Sequence, residues 1–334
     1  MRQTAKKRLG RLAVLVLTLG LVFLLFLLLS EHAEKKNERE DDGKGATDYL
    51  LEREIVYIDG EAYLPKKGIS SYLLIGVDAD GKVHKSESYN NCDKADFLAL
   101  LVLDSETRSY TLLHINRDTM AMIPVLGISG KKAGERYAQL ATAHTYGDGT
   151  ELSCRNTVNA VSEFLYGTKI DGYASFNMEA VKILTDKLGG VQITLPKDYT
   201  DIDEGFFAGA DVILDGDAAL RFVRSRKNVE DQTNISRMER QKLFLSAFVD
   251  TLLGKADSET YLLGLYSAVS EYSVTDMTAG ELAALFSEAS SYERTAVLSP
   301  AGEAKLGDEF MEFHVDEEDL RRIVKELTYS KYEG

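Results

Sequence analysis

The sequence lacks the common signatures of nucleotide-binding and hydrolytic enzymes. Its 334 residues contain no G-x-x-x-x-G-K-S/T phosphate loop, no G-x-G-x-x-G fingerprint, no G-x-S-x-G turn and no H-E-x-x-H motif. The five histidines are scattered along the chain. His114 alternates with apolar residues in a predicted strand, so we expect it to be packed in the core and not to be catalytic. Carboxylates and arginines are therefore left as the groups that can carry chemistry.

Cysteine is scarce, since the chain has only Cys92 and Cys154. Neither residue has a histidine or another cysteine at the spacing of a metal site. In an extracellular domain the two could form one disulfide, and two free thiols are the alternative. The sequence leaves both open.

Charged side chains are absent from residues 12–29, an apolar run of 18 residues. As a helix this run is about 27 Å long, which is enough to cross a bilayer. Five basic residues precede it, so the positive-inside rule places residues 1–11 in the cytoplasm and the later residues outside. A cleaved signal peptide is the competing interpretation, but no clean cleavage site follows Ser30 and the run is longer than a usual h-region. We therefore predict a single-pass protein of the cell membrane with an uncleaved transmembrane anchor and an extracellular C-terminal domain.

The rest of the chain divides into a linker and one domain. Residues 30–54 are mostly charged and are predicted to form a stalk. Residues 55–334 contain no internal repeat and no second linker, which predicts a single extracellular domain. The chain has a formal net charge of −15 although its N-terminal tail is basic, so this domain is acidic. An acidic domain argues against nucleic acid as a partner.

Strand and helix patterns alternate along this domain, which predicts a layered α/β fold. The predicted strands are 55–58, 72–77, 95–103, 110–115, 169–176, 191–195, 294–298 and 309–315. The predicted helices are 151–166, 178–188, 217–225, 260–272, 278–289, one that starts at Ser236 and one that is capped by Asp316.

Three polar positions fall at the ends of predicted strands. Asp78 closes the strand 72–77, and Arg117 and Asp118 follow the strand 110–115. Ligands of open α/β sheets bind where strands end, so Asp78 and Arg117 are well placed. Asp96 lies at the start of the strand 95–103 and joins them only if that strand is antiparallel to the first.

Arginines gather where two predicted helices meet. Arg224 and Arg226 end the first helix, and Ser236 and Glu239 have the S-x-x-E spacing of a capping box that starts the second. Arg237 then lies in the first turn, and Arg240 and Gln241 follow on the same face. Such a cluster at a helix N-terminus favours an anion such as pyrophosphate. Pairing of the arginines with the local acids Glu230, Asp231 and Glu239 is the alternative, and charge spacing alone leaves both open.

Carboxylates without histidine or thiolate suit a hard cation, and such a cation with arginines suits phosphoryl transfer. We therefore expect Mg²⁺, with Mn²⁺ as the alternative.

Short segments between residues 72 and 248 resemble the LytR-CpsA-Psr family of bacterial cell-wall enzymes and occur in that family's order. These segments are 74–78 (LIGVD), 94–96 (KAD), 115–119 (INRDT), 186–191 (DKLGGV), 219–226 (ALRFVRSR) and 237–241 (RMERQ). The resemblance implies an α-β-α layered domain with a mixed central sheet. It also implies transfer of a teichoic acid-like, capsular or other wall glycopolymer from undecaprenyl pyrophosphate to peptidoglycan through a phosphodiester bond.

The resemblance assigns roles to the matching positions. Asp78 and Asp96 correspond to carboxylates that hold Mg²⁺, and Arg117, Arg224, Arg226 and Arg237 to the pyrophosphate binders. Lys94 and Gln241 belong to the same binding set. Asp96, Arg117 and Asp118 are the candidate catalytic residues, with Asp96 or Asp118 assisting the attacking hydroxyl and Asp118 better suited to orienting Arg117.

Two positions depart from the family pattern. Lys94 stands where the family usually has arginine, which keeps the charge but loses the bidentate fork. Asn234 stands where the family commonly has aspartate, and Asp231 lies three residues earlier. These departures keep two other functions open, a non-catalytic membrane-anchored protein that binds lipid or glycan, and a pyrophosphatase that acts on the lipid-linked precursor.

Overall fold

The computed structural model describes residues 55–87, 91–225, 234–255 and 258–332. The predicted tail, anchor and stalk lie outside the described residues, and so do Arg226, Glu230 and Asp231. Within the described ranges, no helix is long and apolar enough to cross a membrane.

Fifteen strands and seven α-helices are assigned to the described residues. The strands are β1 (Val56–Ile58), β2 (Glu61–Pro65), β3 (Ile69–Val77), β4 (Ala95–Asp104), β5 (Ser109–Ile115), β6 (Met120–Leu126), β7 (Lys132–Gln139), β8 (Gly172–Asn177), β9 (Val191–Thr194), β10 (Asp211–Leu214), β11 (Ser273–Thr275), β12 (Glu293–Leu298), β13 (Gly302–Leu306), β14 (Met311–Val315) and β15 (Tyr329–Lys331). The helices are α1 (Glu151–Phe164), α2 (Met178–Lys187), α3 (Gly216–Arg224), α4 (Asn234–Leu253), α5 (Glu259–Val269), α6 (Ala279–Ala289) and α7 (Glu317–Thr328).

Six strands form the central sheet in the order β11-β8-β3-β4-β5-β12. The strand β3 pairs in parallel with β8 and antiparallel with β4, and β5 pairs antiparallel with β4 and in parallel with β12. The sheet is therefore mixed, as the family resemblance implies.

The two faces of the sheet are covered by different elements because alternate residues of a strand point to opposite faces. On one face Leu73 and Ile75 belong to a core with α1, α7 and the β6–β7 hairpin. On the other face Leu101 and Leu112 belong to a core with α4 and α6. The α-β-α layering follows from this alternation.

The start of α4 differs from the sequence-based prediction. The helix begins at Asn234, so Ser236 lies inside it and the predicted capping box at Ser236 is wrong. The Glu239 carboxylate, which would complete that box, instead lies 2.5 Å from Lys197 Nζ. The cap of the last helix is confirmed, because the Asp316 side chain accepts hydrogen bonds from the first turn of α7.

The two cysteines are not joined by a disulfide in the described part of the chain. Cys92 is exposed, whereas Cys154 is buried with its Sγ 3.9 Å from His144 Nε2. Burial raises the pKa of the Cys154 thiol to about 12, which makes it a structural and unreactive side chain.

Candidate active site

A β-bulge brings the two predicted metal-binding aspartates to neighbouring strand ends. Val77 pairs with Ala95 and Gly76 with Phe97, so Asp96 is the extra residue between the two pairs. Asp78 directly follows Val77. A bulge re-aims the side chain of its extra residue. The antiparallel pairing on which the placement of Asp96 depended is confirmed.

Gly76 is required opposite this bulge. A Cβ atom at Gly76 would lie 2.8 Å from Phe97 Cβ, closer than real Cβ contacts allow. The absence of a side chain at Gly76 therefore lets β3 and β4 approach each other beside Asp96.

Two arginines meet the carboxylate of Asp96. Arg117 Nη1 donates to Asp96 Oδ1, and Arg237 Nη1 lies 3.8 Å from Asp96 Oδ2. The Arg237 side chain is only 4% exposed, against 15% for each of the other two. Buried charges need partners of opposite sign, so Asp96 stabilises both guanidinium groups in place.

Asp118 lies behind Arg117 and contacts a residue that the sequence analysis missed. Its Oδ1 lies 3.3 Å from Arg117 Nε and accepts a hydrogen bond of 3.0 Å from Gln139 Nε2. Gln139 Nε2 also donates to the backbone oxygen of Met311 at 2.8 Å. With its side chain only 7% exposed, Asp118 is better placed to orient Arg117 than to contact a substrate. No sequence signal marked Gln139, which ends a strand of exposed polar residues.

Arg224 and Arg240 act differently although both belong to the predicted arginine cluster. Arg224 Nη2 donates to Asp78 Oδ1 at 2.7 Å, and both side chains are about half exposed. Arg240 is buried, and it donates through Nε to Phe222 O at 2.9 Å and through Nη2 to Ser225 O. Arg240 therefore binds the carbonyl groups at the C-terminus of α3, the usual place for a cation on a helix.

Among the described contacts, Arg224 and Arg237 meet aspartates at the ends of β3 and β4. Glu239, one of the local acids proposed as their partners, contacts Lys197 instead. Lys94 is exposed two residues before Asp96. The structure brings together Asp78, Asp96, Arg117, Asp118, Arg224 and Arg237, while Arg226 lies outside the described residues.

An apolar cavity opens next to this cluster, on the α4 side of the sheet. Its lining is almost wholly apolar and runs from Gly76, Phe97 and Gln241 to Leu262 and Phe286. Gln241 Nε2 also lies 3.4 Å from Val223 O, at the end of α3 that carries Arg224. Gln241 therefore connects the charged cluster with the apolar cavity.

His114 is packed in the core, as the sequence predicts. It is 2% exposed, and its ring lies against Phe97 with centroids 5.0 Å apart. Burial, together with the nearby charges of Lys242 and Arg237, lowers the pKa of His114 to about 3. The imidazole is therefore neutral at physiological pH.

The carboxylates of the site are of the chemical type that binds a hard cation. Within the described ranges, no three His, Cys, Asp or Glu side chains are grouped so as to hold a metal by themselves. Mg²⁺ usually takes one or two carboxylates and completes its shell with water and substrate phosphates. Asp78 and Asp96 offer such a pair of oxygen donors.

The family profile described as LytR_cpsA_psr matches residues 25–328. The chain belongs to the LytR-CpsA-Psr family. It is 26% identical over 262 residues to the polyisoprenyl-teichoic acid–peptidoglycan teichoic acid transferase TagU of Enterococcus faecalis, an alignment that covers 77% of this chain and 78% of TagU. It is 28% identical over 194 residues to the TagV transferase of Bacillus subtilis, which covers 56% of this chain and only 44% of TagV.

Solved structures of LytR-CpsA-Psr proteins share the fold. The crystal structure of Bacillus subtilis TagV superimposes with a TM-score of 0.60 and 24% identity over 78% of this chain and 96% of that one. A structure described as TagT bound to LIIa-WTA gives a TM-score of 0.59 and 23% identity over 78% of this chain and 90% of the other. The mixed α/β architecture is therefore the family fold.

Proposed function

We propose that this protein transfers a teichoic acid-like polymer from a polyprenyl-pyrophosphate carrier to peptidoglycan. Its relatives TagU and TagV are named polyisoprenyl-teichoic acid–peptidoglycan teichoic acid transferases. One observation carries the proposal. Arginines paired with aspartates lie beside an apolar cavity whose lining includes Val223 and Gln241, so a single ligand with an anionic head and an apolar chain would occupy both.

The charges of the cluster support a role for a cation. Among the described side chains, three arginines (Arg117, Arg224 and Arg237) face three aspartates (Asp78, Asp96 and Asp118). Each of these arginines is paired with a carboxylate, so a bound cation would add to the positive charge that faces a pyrophosphate. Mg²⁺ held by Asp78 and Asp96 would offset the charge that the phosphates carry in the transition state.

In the proposed reaction a hydroxyl oxygen of the acceptor sugar attacks the phosphorus next to the glycopolymer. The new P–O bond forms the phosphodiester, and the bond to the bridging oxygen breaks, so polyprenyl phosphate leaves. The proton of the hydroxyl passes to a carboxylate. Asp96 and Asp118 are the candidates for this role, and Asp96, the more exposed of the two, would fill it only with an oxygen that does not hold the cation. Arg117 and Arg237 bind the phosphate oxygens as their contacts with Asp96 rearrange.

The proposed membrane anchor, residues 12–29, supports the same function. A lipid-linked donor is confined to the membrane, and an anchored enzyme meets it there.

The test uses the full-length protein in detergent micelles with a polyprenyl-pyrophosphate-linked teichoic acid precursor, peptidoglycan fragments and Mg²⁺. Mass spectrometry is expected to find glycopolymer joined to peptidoglycan, and EDTA should remove this activity until Mg²⁺ or Mn²⁺ is restored. Free glycan phosphate as the only product would overturn transfer in favour of a pyrophosphatase. Lipid binding without turnover would establish a non-catalytic protein.

A further inference from the structure

The β6–β7 hairpin forms a two-stranded ribbon that starts at the candidate active site. The strand register pairs Met120 with Gln139 and Met122 with Tyr137. Gln139 is the residue whose Nε2 donates to Asp118 Oδ1. One face of the ribbon, here called the outward face, therefore leads from Asp118 through Gln139 to Tyr137.

Large apolar groups are exposed on this outward face. Tyr137 is 56% exposed and its cross-strand neighbour Met122 is 46% exposed. The opposite face of the ribbon is different, because Ala121, Ile123 and Ala138 are buried. The ribbon is thus fixed to the domain by one face and presents an aromatic ring on the other.

The ribbon and the apolar cavity lie on opposite faces of the central sheet. Ile123 belongs to the same core as Leu73 and Ile75, whereas the cavity is lined by Leu74, on the other face of β3. The charged cluster lies at the strand ends between these two sides. A lipid in the cavity therefore reaches the cluster from one side, and the ribbon lies on the other side.

The direction of attack on the phosphorus then indicates which molecule contacts the ribbon. In phosphoryl transfer the attacking and leaving oxygens are roughly in line on opposite sides of the phosphorus. If the leaving prenyl phosphate lies toward the cavity, the attacking sugar approaches from the side of Arg117, Asp118 and the ribbon. A sugar ring has an apolar C–H face that packs on an aromatic ring, and its hydroxyls hydrogen-bond to the polar neighbours of that ring.

We propose that the outward face of the β6–β7 ribbon, with Tyr137 at its centre, is the surface on which the glycan strand of the acceptor docks. This inference rests on the proposed transferase function, because that function requires a glycan acceptor. It adds the side from which the acceptor arrives and the residue that contacts it.

The experiment measures binding and turnover with the full-length protein in detergent. Soluble peptidoglycan glycan strands are titrated calorimetrically, and the acceptor KM is measured separately from the affinity for the lipid-linked donor. Tyr137→Ala is expected to raise both the Kd for glycan strands and the acceptor KM by roughly three- to tenfold. The donor affinity should not change, and Tyr137→Phe should restore binding because it retains the ring.

Tyr57→Ala is the matched control, since Tyr57 is 70% exposed on β1, a strand outside the central sheet. It should leave every constant unchanged. An unchanged Kd and acceptor KM in Tyr137→Ala would overturn the docking surface. Loss of self-association in that variant, with glycan binding intact, would also overturn it and assign the ribbon to a contact between copies. Failure of the proposed transferase function can be told apart from failure of the docking surface. In the first case wild-type protein would give no linked product, whatever its affinity for glycan strands.

Discussion

The charged residues of the site form two sets of ion pairs that differ in their exposure to water. Asp78 and Arg224 are both 44% exposed, so water screens their attraction. Asp96 meets Arg117 and the nearly buried Arg237, where water screens little. Substitution of the two aspartates should therefore separate a contribution to catalysis from a contribution to stability.

Asp78→Asn and Asp96→Asn should both lower transfer by orders of magnitude, because each removes a charge proposed to hold the cation. Their effects on the free energy of unfolding should differ. Asp78→Asn should change it by less than about 1 kcal/mol, as expected for an exposed pair. Asp96→Asn should lower it by about 3 kcal/mol, because two largely buried guanidinium groups lose their shared carboxylate. Urea unfolding and product formation measure the two effects, and equal stability of the two variants would contradict this account.

At the scale of elements, five of the six strands of the central sheet were predicted from their apolar runs, whereas β11, with only three residues, was missed. The run 95–103 corresponds to β4, and Asp59 and Gly60, both at positive φ, form the turn between β1 and β2. The ribbon strand β7 was missed because its residues from Lys132 to Tyr137 are all exposed and show no apolar alternation. Gln139 was missed for the same reason, because it is the last residue of this strand.

The sequence predicted which residue types form the site, but it predicted only partly which carboxylate contacts which arginine. Local spacing suggested Glu230, Asp231 and Glu239 as partners for the arginines. Of these, Glu239 contacts Lys197 instead, and Asp96, which meets Arg237, is brought close by the pairing of β3 with β4. Arg240 shared a helix face with Arg237, and its spacing gave no sign that it binds the end of α3. Contacts between distant segments depend on register, which one sequence does not specify.

Arg240 fixes the end of α3 from which Arg224 reaches the site. Arg240→Lys keeps the charge, but an ammonium group cannot reproduce the two separate donations of the guanidinium. We expect the kcat of transfer to fall by at least about tenfold, because small displacements of binding groups are costly to catalysis. Stability should fall by about 1–3 kcal/mol, measured by urea unfolding.

The control for this variant is Arg294→Lys. Arg294 Nη1 also contacts α4, donating to Ser246 O at 3.1 Å and to Asp250 Oδ1 at 2.7 Å, but none of the site residues is among these partners. Arg294→Lys should lose some stability and retain the wild-type kcat. If the two variants lose kcat equally, Arg240 has no specific role in positioning α3.

At the scale of the whole molecule, one of the buried histidines, His114, makes stability depend on pH. Burial lowers the pKa of His114 to about 3 in the folded protein, whereas an unfolded chain has the ordinary value near 6.5. Between these values the unfolded state binds the extra proton, so stability is fully present above pH 6.5 and falls as the pH falls toward 3.

His114→Gln removes this group, so from pH 7 to pH 5 wild type should lose about 2 kcal/mol more free energy of unfolding than the variant. Urea titrations at both pH values measure the difference, and His84→Gln, at an exposed histidine, should behave as wild type. Equal losses in wild type and His114→Gln would mean that His114 accepts its proton without unfolding, which contradicts its burial beside Arg237.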